Sequence, residues 1–328
     1  MKKILGIGNA LVDVVTYIDN ETILQEFELP KGSMQLVDSV KSEIVKTGTG
    51  SFNKTLASGG SAANTIHGLS LLGVQTGFIG SIGEDETGDF FENDLINAGV
   101  KTYLSRCKSQ TGTAVALITP DSERTFATHL GAAIELNAAD LNASDFIGYD
   151  ILYLEGYLII NKPLLVTACK FAKANKMKIA LDLASYNVVE AKLADFKEIV
   201  EQFVDIIFAN EEEAKAFTGL DAKTAVFRLS ELCETAVVKI GSEGSWLKRG
   251  DEVIKIGTIP VTLKDTTGAG DLYASGFLYG VAMNDTLENC GLYGAILSGK
   301  VIEIPGARLD HTKWDEIKRM ISEIKVTE

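Results

Sequence analysis

Residues that cross-link or stiffen a chain are scarce in this sequence of 328 residues, which contains four cysteines and five prolines. The cysteines lie far apart and form no C-x-x-C pair, which argues against a disulfide framework and against a zinc site. No proline-rich tract marks a linker between domains. We therefore expect reduced thiols, as in a cytoplasmic protein, at Cys107, Cys169, Cys233 and Cys290.

Positive charge is also scarce: 31 lysines and arginines face 45 aspartates and glutamates, which gives a formal net charge of −14. Nucleic-acid binding depends on clustered lysine and arginine, so no nucleic-acid partner is expected. Uninterrupted apolar runs fall short of the length that spans a membrane. The first run is broken by Asn9 and Asp13 without a small-residue cleavage site. We therefore expect neither a signal peptide nor a membrane anchor.

Hydrophobic residues are plentiful, at 46% of the chain, and they are arranged in a repeating order. Short apolar segments alternate with amphipathic segments of helical length. Strands that are apolar on both faces, alternating with helices, predict an α/β fold with a mostly parallel sheet covered on both sides. Strands are predicted over residues 3–8, 76–83, 150–159, 177–183, 204–210 and 235–241. Helices are predicted over residues 61–73, 88–99, 162–176 and 196–203.

Two regions, residues 14–50 and 101–130, break this alternation because they contain strand-like segments without helices between them. Their similar character predicts that they pair into one small antiparallel sheet that protrudes from the core as a lid. Residues 1–13, 51–100 and 131–328 would then form the core that binds the ligands.

The stretch "DTTGAGD" precedes an apolar segment with the small-residue spacing of a closely packed helix. This order puts Gly268, Ala269 and Gly270 at a helix N-terminus, where free N–H groups and the helix dipole favour an anion. Asp271 lies in the first turn of this helix. An acidic residue there stabilises the helix dipole, which is an alternative explanation that needs no catalytic role. A carboxylate beside an anion site is where a general base would deprotonate an attacking hydroxyl.

Three further motifs follow predicted strands or precede predicted helices. In "SGGSAANT", Gly59 and Gly60 are expected to form a turn, with Ser61 as the N-cap of the next helix. "GIGNALVD" lacks the third glycine of a dinucleotide-binding fingerprint, because Leu11 stands in its place. In "FANEEEAKAF", Asn210 and Glu213 lie three residues apart at the start of a helix, where acidic residues commonly compensate the dipole.

Together, "DTTGAGD" and "SGGSAANT" resemble the signatures of the ribokinase-like (PfkB-type) carbohydrate and nucleoside kinases. The resemblance covers nearly the whole chain and implies a three-layer core, a small β-sheet lid and transfer of the ATP γ-phosphoryl group to a primary hydroxyl. It implies that Asp271 is the catalytic base and that the glycine-rich stretch holds the phosphate. The acceptor site implied by the resemblance consists of Asn9, Asp13, Gly59, Gly60 and Asn64, with Asp13 binding two vicinal hydroxyls and Asn64 donating to hydroxyls of the substrate.

The same resemblance implies a nucleotide site. Asn210 and Glu213 match a family motif that organises Mg²⁺ and phosphate, here through water. "VVKIGSEGSW" matches a nucleotide-contacting turn at Gly241 and Gly244, although Lys239 stands where the family commonly has threonine. The complete set assigned to the nucleotide is Asn210, Lys239, Gly241, Gly244 and Thr266.

Within the family, "GNALVD" and "ERTFATHLGAA" are similar to segments of the adenosine kinase branch. That likeness implies that Arg124 lies in the lid near the phosphates. It also implies that Met34 and Tyr157 contact a flat base, for which a thioether and an aromatic ring are suited. Packing in the lid or the core would explain both residues equally simply. Ribose, fructose or another nucleoside stays open as the acceptor, as does a non-catalytic sensor on the same fold. A monomer or a homodimer is expected.

Overall fold

Two β-sheets and the helices around them account for most of the computed structural model, which describes residues 1–121 and 123–326. In chain order the strands are β1 (Ile4–Ile7), β2 (Leu11–Tyr17), β3 (Met34–Leu36), β4 (Lys54–Gly59), β5 (Thr76–Gly83), β6 (Lys101–Cys107), β7 (Gly112–Ile118), β8 (Arg124–His129), β9 (Ile151–Glu155), β10 (Lys178–Asp182), β11 (Ile206–Asn210), β12 (Thr235–Lys239), β13 (Ser245–Arg249) and β14 (Glu252–Ile256). The α-helices are α1 (Thr22–Glu26), α2 (Ser39–Gly48), α3 (Ser61–Leu71), α4 (Glu86–Asn97), α5 (Lys162–Ala174), α6 (Tyr186–Ala191), α7 (Leu193–Phe203), α8 (Glu211–Thr218), α9 (Ala222–Ser230), α10 (Ala269–Met283), α11 (Leu287–Val301) and α12 (His311–Val326).

The larger sheet has the strand order β14-β13-β12-β11-β10-β9-β1-β5-β6. Its strands are parallel from β12 to β6, and β13 and β14 add an antiparallel edge. Every residue of β1, β5 and β9 is buried. Strands buried on both faces need helices on both sides, which confirms the predicted three-layer α/β core.

Alternate residues of each strand enter two different hydrophobic cores. Leu5 and Ile7 of β1 pack with residues of α5, α7 and α9 on one face. Ile4 packs with residues of α3, α4 and α10 on the other face. A third cluster joins α10 to α11 and α12. Within the described part of the chain, no helix is both long and apolar enough to cross a membrane.

The second sheet has five strands in the described residues, in the order β3-β8-β7-β2-β4. One face packs against α1 and α2 through Val14, Leu24, Val45, Val115 and Ala127. The sheet is mixed rather than antiparallel as expected, because β2 pairs with β7 and β3 pairs with β8 in parallel.

Two strands do not belong to the sheet that follows from the expected lid boundaries, residues 14–50 and 101–130. β4, within residues 51–100, pairs with β2 in the five-stranded sheet. Its first three residues are largely exposed, so it lacks the alternation that identifies a strand in sequence. β6, within residues 101–130, pairs with β5 at the edge of the larger sheet. It is half-buried because it is an edge strand, which gives it the same composition as a lid strand.

Candidate active site

Polar residues stand at the carboxyl ends of adjacent parallel strands, where open α/β sheets bind their ligands. Glu155, Asp182, Asn210 and Lys239 are the last residues of β9, β10, β11 and β12. Asn9 follows β1 by two residues. These five side chains therefore lie along one edge of the larger sheet.

The glycine-rich loop reaches the same edge from the other end of the chain. α10 begins at Ala269, and its N-cap Gly268 has φ of 74°, which a glycine adopts without strain. A Cβ at Gly268 would lie 2.5 Å from the Cβ of Ala307, so the loop also packs too tightly for a side chain there. The N–H groups at the start of α10 lie where the sequence predicts an anion site, although that of Ala269 donates to the carbonyl oxygen of Thr266 at 3.1 Å.

Asp271 lies in the first turn of α10, and its carboxylate is held by two residues of α3. Ser61 Oγ donates to Oδ1 at 2.7 Å, and Asn64 Nδ2 donates to Oδ2 at 2.9 Å. Burial raises the pKa of Asp271, while the hydrogen bonds from Asn64 and Ser61 oppose that shift. An oriented carboxylate with a raised pKa beside an anion site is suited to accept a proton from a hydroxyl.

The structure corrects two expectations about α3. Ser61 is the first residue of the helix and not its N-cap, which is Gly60, so its hydroxyl is free to bind Asp271. Asn64 donates to Asp271, and its buried Oδ1 has no hydrogen-bond partner among the described residues. Asn64 therefore offers an acceptor, not the expected donor, to a ligand hydroxyl.

Lys239 extends its ammonium group to the glycine-rich loop. Its Nζ lies 2.9 Å from Asp182 Oδ2 and 3.1 Å from the position that a Cβ of Gly270 would occupy. Burial lowers the pKa of Lys239, but the Asp182 and Glu213 carboxylates outweigh it and the net shift is upward. Lys239 therefore stays charged and adds a fixed positive charge to the anion site.

Asn210 and Glu213 form a reciprocal capping box at the start of α8. The backbone N–H and Nδ2 of Asn210 donate to the Glu213 carboxylate at 2.7 and 2.8 Å. Burial and the nearby Asp182 raise the pKa of Glu213 to about 7. No cluster of three or more potential metal-ligating side chains occurs in residues 1–121 and 123–326.

A cavity of about 720 Å³ brings most of the predicted nucleotide and catalytic residues together. Its walls also include Asp182, Ala184 and Ser61, which the motifs did not assign. A larger cavity, of about 980 Å³, lies elsewhere, between α2 and residues 109–135. Predicted residues that line the 720 Å³ cavity are Asn210, Glu213, Lys239, Gly241, Gly244, Thr266, Gly268, Ala269, Gly270 and Asp271.

The predicted acceptor residues meet where the two sheets join. A Cβ at Gly59 would lie 2.5 Å from Asp13 Oδ1, so the carboxylate rests on bare backbone. Gly60 has φ of 95°, and a Cβ there would collide with the carbonyl oxygen of Asn9. The two glycines thus make room for protein atoms of the site, a use that the sequence did not reveal.

Buried Glu155 fixes Asn9 and the start of α3. Its Oε1 accepts from the backbone N–H and Nδ2 of Asn9 at 2.9 and 2.5 Å, and its Oε2 accepts from the N–H of Ala62 at 2.9 Å. Burial raises the pKa of Glu155 to about 7. Asn9 is therefore bound through its amide nitrogen, which leaves its Oδ1 for a ligand.

Replacing Glu155 with glutamine should lower the free energy of unfolding by about 1–3 kcal/mol, since a buried N–H loses its acceptor. The loss should be larger at pH 5 than at pH 8. The pKa of Glu155 is about 4.5 in the unfolded chain and about 7 in the folded protein, so between these two pH values the folded wild type binds more protons than the unfolded chain. The free energy of unfolding of the wild type therefore falls as pH rises through that window. Glutamine does not titrate. Urea denaturation at both pH values tests this, and an equal difference at pH 5 and pH 8 would contradict it.

One face of the five-stranded sheet carries the remaining acceptor residues. In the strand register, Asp13 pairs with Ala114, Ala114 with Thr128, and Thr128 with Leu36. Paired residues point to the same side, and so do alternate residues of one strand. Asp13, Arg124, Met34 and Leu36 therefore share the face opposite the one that packs on α1 and α2. Met34 and Leu36 are 51% and 62% exposed there.

Arg124 connects this face to the glycine-rich loop. Its Nη2 lies 2.6 Å from Asp265 Oδ2, and its Nη1 donates to Thr267 Oγ1 at 2.8 Å. Asp265 also accepts from the N–H groups of Thr267 and Gly306, at 3.0 and 2.5 Å. The five-stranded sheet therefore contacts the loop that carries the anion site.

Tyr157 lies on the core side of the cleft. It belongs to the 3₁₀ helix Gly156–Asn161, and its hydroxyl donates to the carbonyl oxygen of Ala184 at 3.4 Å. Burial raises the Tyr157 pKa, followed by the charges of Glu155 and Glu213. The Tyr157 hydroxyl is thus bound to a carbonyl oxygen of the core and is influenced by the carboxylates at the sheet edge.

Several residues of the site lie outside the predicted set, namely Ser61, Glu155, Asp182, Asp265 and Arg308. Glu155 and Asp182 had a usable signal, because each is an acidic residue that closes a buried apolar strand. Arg308 had none, since it lies in a short segment without a recognisable motif.

A mostly parallel sheet, a glycine-rich helix N-terminus and a held carboxylate define the class of ribokinase-like kinases. Residues 38–314 match the family model of the pfkB family of carbohydrate kinases, and the chain belongs to this family. Kinases of this family transfer a phosphoryl group from ATP to a hydroxyl group of a sugar or a nucleoside. The resemblance inferred from the motifs is thereby confirmed.

Similar proteins differ in the acceptors that they are named for. The crystal structure of adenosine kinase from Sinorhizobium meliloti is 32% identical, with a TM-score of 0.88 over 97% of this chain and 99% of that one. An uncharacterized sugar kinase of Archaeoglobus fulgidus is 30% identical over 74% of this chain and 96% of its own length. A 5-dehydro-2-deoxygluconokinase of Bacillus licheniformis is 28% identical over 74% of this chain and 80% of its own length.

Proposed function

We propose that this kinase transfers the γ-phosphoryl group of ATP to the 5′-hydroxyl of adenosine. The observation that carries the transfer step is the Asp271 carboxylate, held by Ser61 and Asn64 beside the Gly268–Gly270 anion site. Asp271 accepts the proton of the acceptor hydroxyl as that oxygen attacks the γ-phosphorus, and the bond from this phosphorus to the β–γ bridging oxygen breaks and releases ADP. The N–H groups of the loop and the Lys239 ammonium stabilise charge on the transferring group.

Mg²⁺ is part of the proposal, and the buried carboxylates suit a hydrated ion. Both oxygens of Glu213 already accept hydrogen bonds from Asn210, and Asp182 Oδ2 binds Lys239. Mg²⁺ commonly keeps several waters, so Asn210, Glu213 and Asp182 would hold it through them. When bound, the ion would neutralise charge on the ATP phosphates.

Adenosine as the acceptor is supported by the exposed face of the lid. Asp13 supplies a carboxylate for two vicinal hydroxyls, and Asn64 Oδ1 supplies a further acceptor. Met34 and Leu36 lie on the same face and offer apolar area to a purine. The likeness to the Sinorhizobium meliloti adenosine kinase, at 32% identity, points to the same acceptor. The five-stranded sheet acts as a lid that excludes water when it closes.

A sugar kinase is the second candidate, and the position of Tyr157 favours it. Its hydroxyl donates to the carbonyl oxygen of Ala184, and burial, followed by the charges of Glu155 and Glu213, raises its pKa. Tyr157 therefore contributes to a polar part of the cleft and leaves the purine without the expected aromatic partner. The relatives named as sugar kinases fit the same hypothesis.

A competition assay with equal concentrations of adenosine and ribose distinguishes the two functions. We expect a preference for adenosine of tenfold or more in kcat/KM. At ~25 cal/mol per Å², about 100 Å² of extra apolar burial favours the nucleoside by roughly 2 kcal/mol. Phosphorylation of ribose or fructose with equal efficiency would instead show that the cleft has no platform for the base.

Lid variants test which residues form that platform. Met34→Ala and Leu36→Ala should reduce kcat/KM for adenosine several-fold and leave ribose unaffected. Leu56→Ala is the matched control, because Leu56 is 53% exposed on the same sheet but pairs with Val14, on the opposite face. Loss of adenosine activity in the control alone would place the base elsewhere.

The cysteines support a location in the cytoplasm. The four cysteines are free thiols in the structure, as a reducing cytoplasm requires. A monomer or a homodimer in the cytoplasm completes the proposal.

A further inference from the structure

Arg308 lies outside every predicted motif, yet it contacts the junction of the two sheets. It follows Ala307, which packs on Gly268, and it precedes the buried Leu309. Its backbone is thus anchored beside the anion site. Its side chain is only 16% exposed.

The guanidinium of Arg308 is held by two residues from different elements. Nε donates to Ser58 Oγ at 3.1 Å, and Nη2 donates to the same oxygen. Nε also lies 3.5 Å from Asp94 Oδ2, and Ser58 in turn donates to Asp94. Ser58 belongs to β4 and Asp94 to α4. Arg308 therefore ties a lid strand to a core helix.

Ser58 is the residue that connects this cluster to the acceptor site. It pairs with Val12 in the register of β2 and β4 and is almost fully buried. The next residue, Gly59, supports the Asp13 carboxylate, and Gly60 begins the turn into α3. Holding Ser58 thus fixes the backbone under Asp13.

Charge around Asp13 comes from three side chains. Burial raises the pKa of Asp13 to about 6. The positive charges of Arg308 and, to a smaller extent, Arg124 act in the opposite direction and lower this pKa. Asp271 raises it further. His67 Nε2 lies 4.0 Å from Asp94, but burial lowers the His67 pKa well below its usual value, so His67 adds no charge at neutral pH. The buried Nη1 of Arg308 has no hydrogen-bond partner among the described residues.

We propose that Arg308 is a positioning residue of the acceptor site, which fixes the Ser58–Gly60 backbone under Asp13. Its positive charge should in turn favour the ionised form of the Asp13 carboxyl group. Its effect on a reaction rests on the proposed function, whereas its effect on Asp13 does not. Arg308 acts through Ser58 and Asp13 rather than as a catalytic residue.

A titration that needs no substrate tests the charge. Aspartate carboxyl carbons labelled with ¹³C are followed by NMR between pH 4 and pH 9, and Asp13→Asn assigns the Asp13 signal. In Arg308→Met the Asp13 midpoint should rise by about one pH unit or more. Arg308→Lys keeps the charge and should shift the midpoint less. An unchanged midpoint in folded Arg308→Met overturns the proposal.

Kinetics test the consequence for the acceptor. In Arg308→Met the KM for the acceptor should rise about tenfold at pH 6 and much less at pH 8, while the KM for ATP stays constant. A merely structural role would move both KM values alike at every pH, which would overturn the proposal. Arg106→Met is the matched control, since Arg106 forms its ion pairs with Asp89 and Glu92 of the same helix α4 and not with Asp94, and it should match wild type.

The two assays separate this inference from the proposed function. A shifted midpoint in a protein that phosphorylates neither nucleosides nor sugars supports the role of Arg308 and removes the proposed function. Kinase activity together with an unshifted midpoint keeps the proposed function and removes the role of Arg308.

Discussion

Asp271→Asn should reduce kcat by about 10⁴-fold, at the upper end of what general-base catalysis contributes. Asparagine cannot accept a proton at neutral pH, and no other carboxylate is held between Ser61 and Asn64 in the described structure. Nucleotide affinity should change little, because the N–H groups of Gly268–Gly270 are unaltered. Steady-state kinetics of ADP release and calorimetry of ADP binding measure the two effects.

The matched control for this substitution is Asp221→Asn. Asp221 is the N-cap of α9, where its carboxylate accepts from Thr224 on the surface. The same chemical change should leave kcat as in wild type. Activity of Asp271→Asn within a few-fold of wild type would remove Asp271 from the role of base, and the anion site would then need another proton acceptor.

The fold was predictable where local composition and burial agree. Strands such as β1, β5 and β9 are apolar because both of their faces are covered, so a short continuous apolar run that alternates with helical segments identifies them. The composition of β6 predicts a lid strand because its position at the sheet edge leaves it half-exposed, and β4 is not predicted as a strand because its first residues are exposed. The composition of a strand indicates how exposed the strand is. It does not indicate which of the two sheets the strand belongs to.

The site was predictable where its residues are neighbours in sequence. Asn210 and Glu213, or Gly268 and Asp271, lie within one turn of a helix, so their spacing carries the signal. Contacts across the chain have no such signal. Asp182 and Lys239 are 57 residues apart, and Arg308 and Ser58 are 250 residues apart. Only the order of strands in the sheet and the packing of the last loop bring these pairs together.

Hydrogen-bond partners were harder to predict than positions. Ser61 and Asn64 were expected at the start of α3 and are found there, but both serve Asp271 from 210 and 207 residues away. Asn9 likewise stands at the predicted position and is bound by Glu155. A sequence motif predicts the position of a residue in a helix or a loop. Tertiary contacts determine which atoms of its side chain remain free for a ligand.

Asp13→Ala should raise the KM for the acceptor roughly tenfold to a hundredfold. Two vicinal hydroxyls lose a charged acceptor, which contributes ~1.5–3 kcal/mol to binding. In wild type, kcat/KM should fall as pH drops through about 6, the pKa to which burial raises Asp13, because the protonated carboxyl no longer accepts both hydroxyls. The part of this acid limb that comes from Asp13 should disappear in the variant, whereas any part that comes from protonation of Asp271 should remain. Initial rates at varied acceptor concentration between pH 5 and pH 8 provide the measurement.

A 2′-deoxy acceptor is the control for the diol. It should be a poor substrate of the wild type, and Asp13→Ala should reduce its kcat/KM little further, since the lost hydroxyl and the lost carboxylate belong to one interaction. Asp19→Ala, an exposed position six residues along the same segment, should behave as wild type with both acceptors. If Asp13→Ala still discriminated against the deoxy compound as strongly as wild type does, the carboxylate would not bind the diol, and its position on Gly59 would serve only to hold the lid.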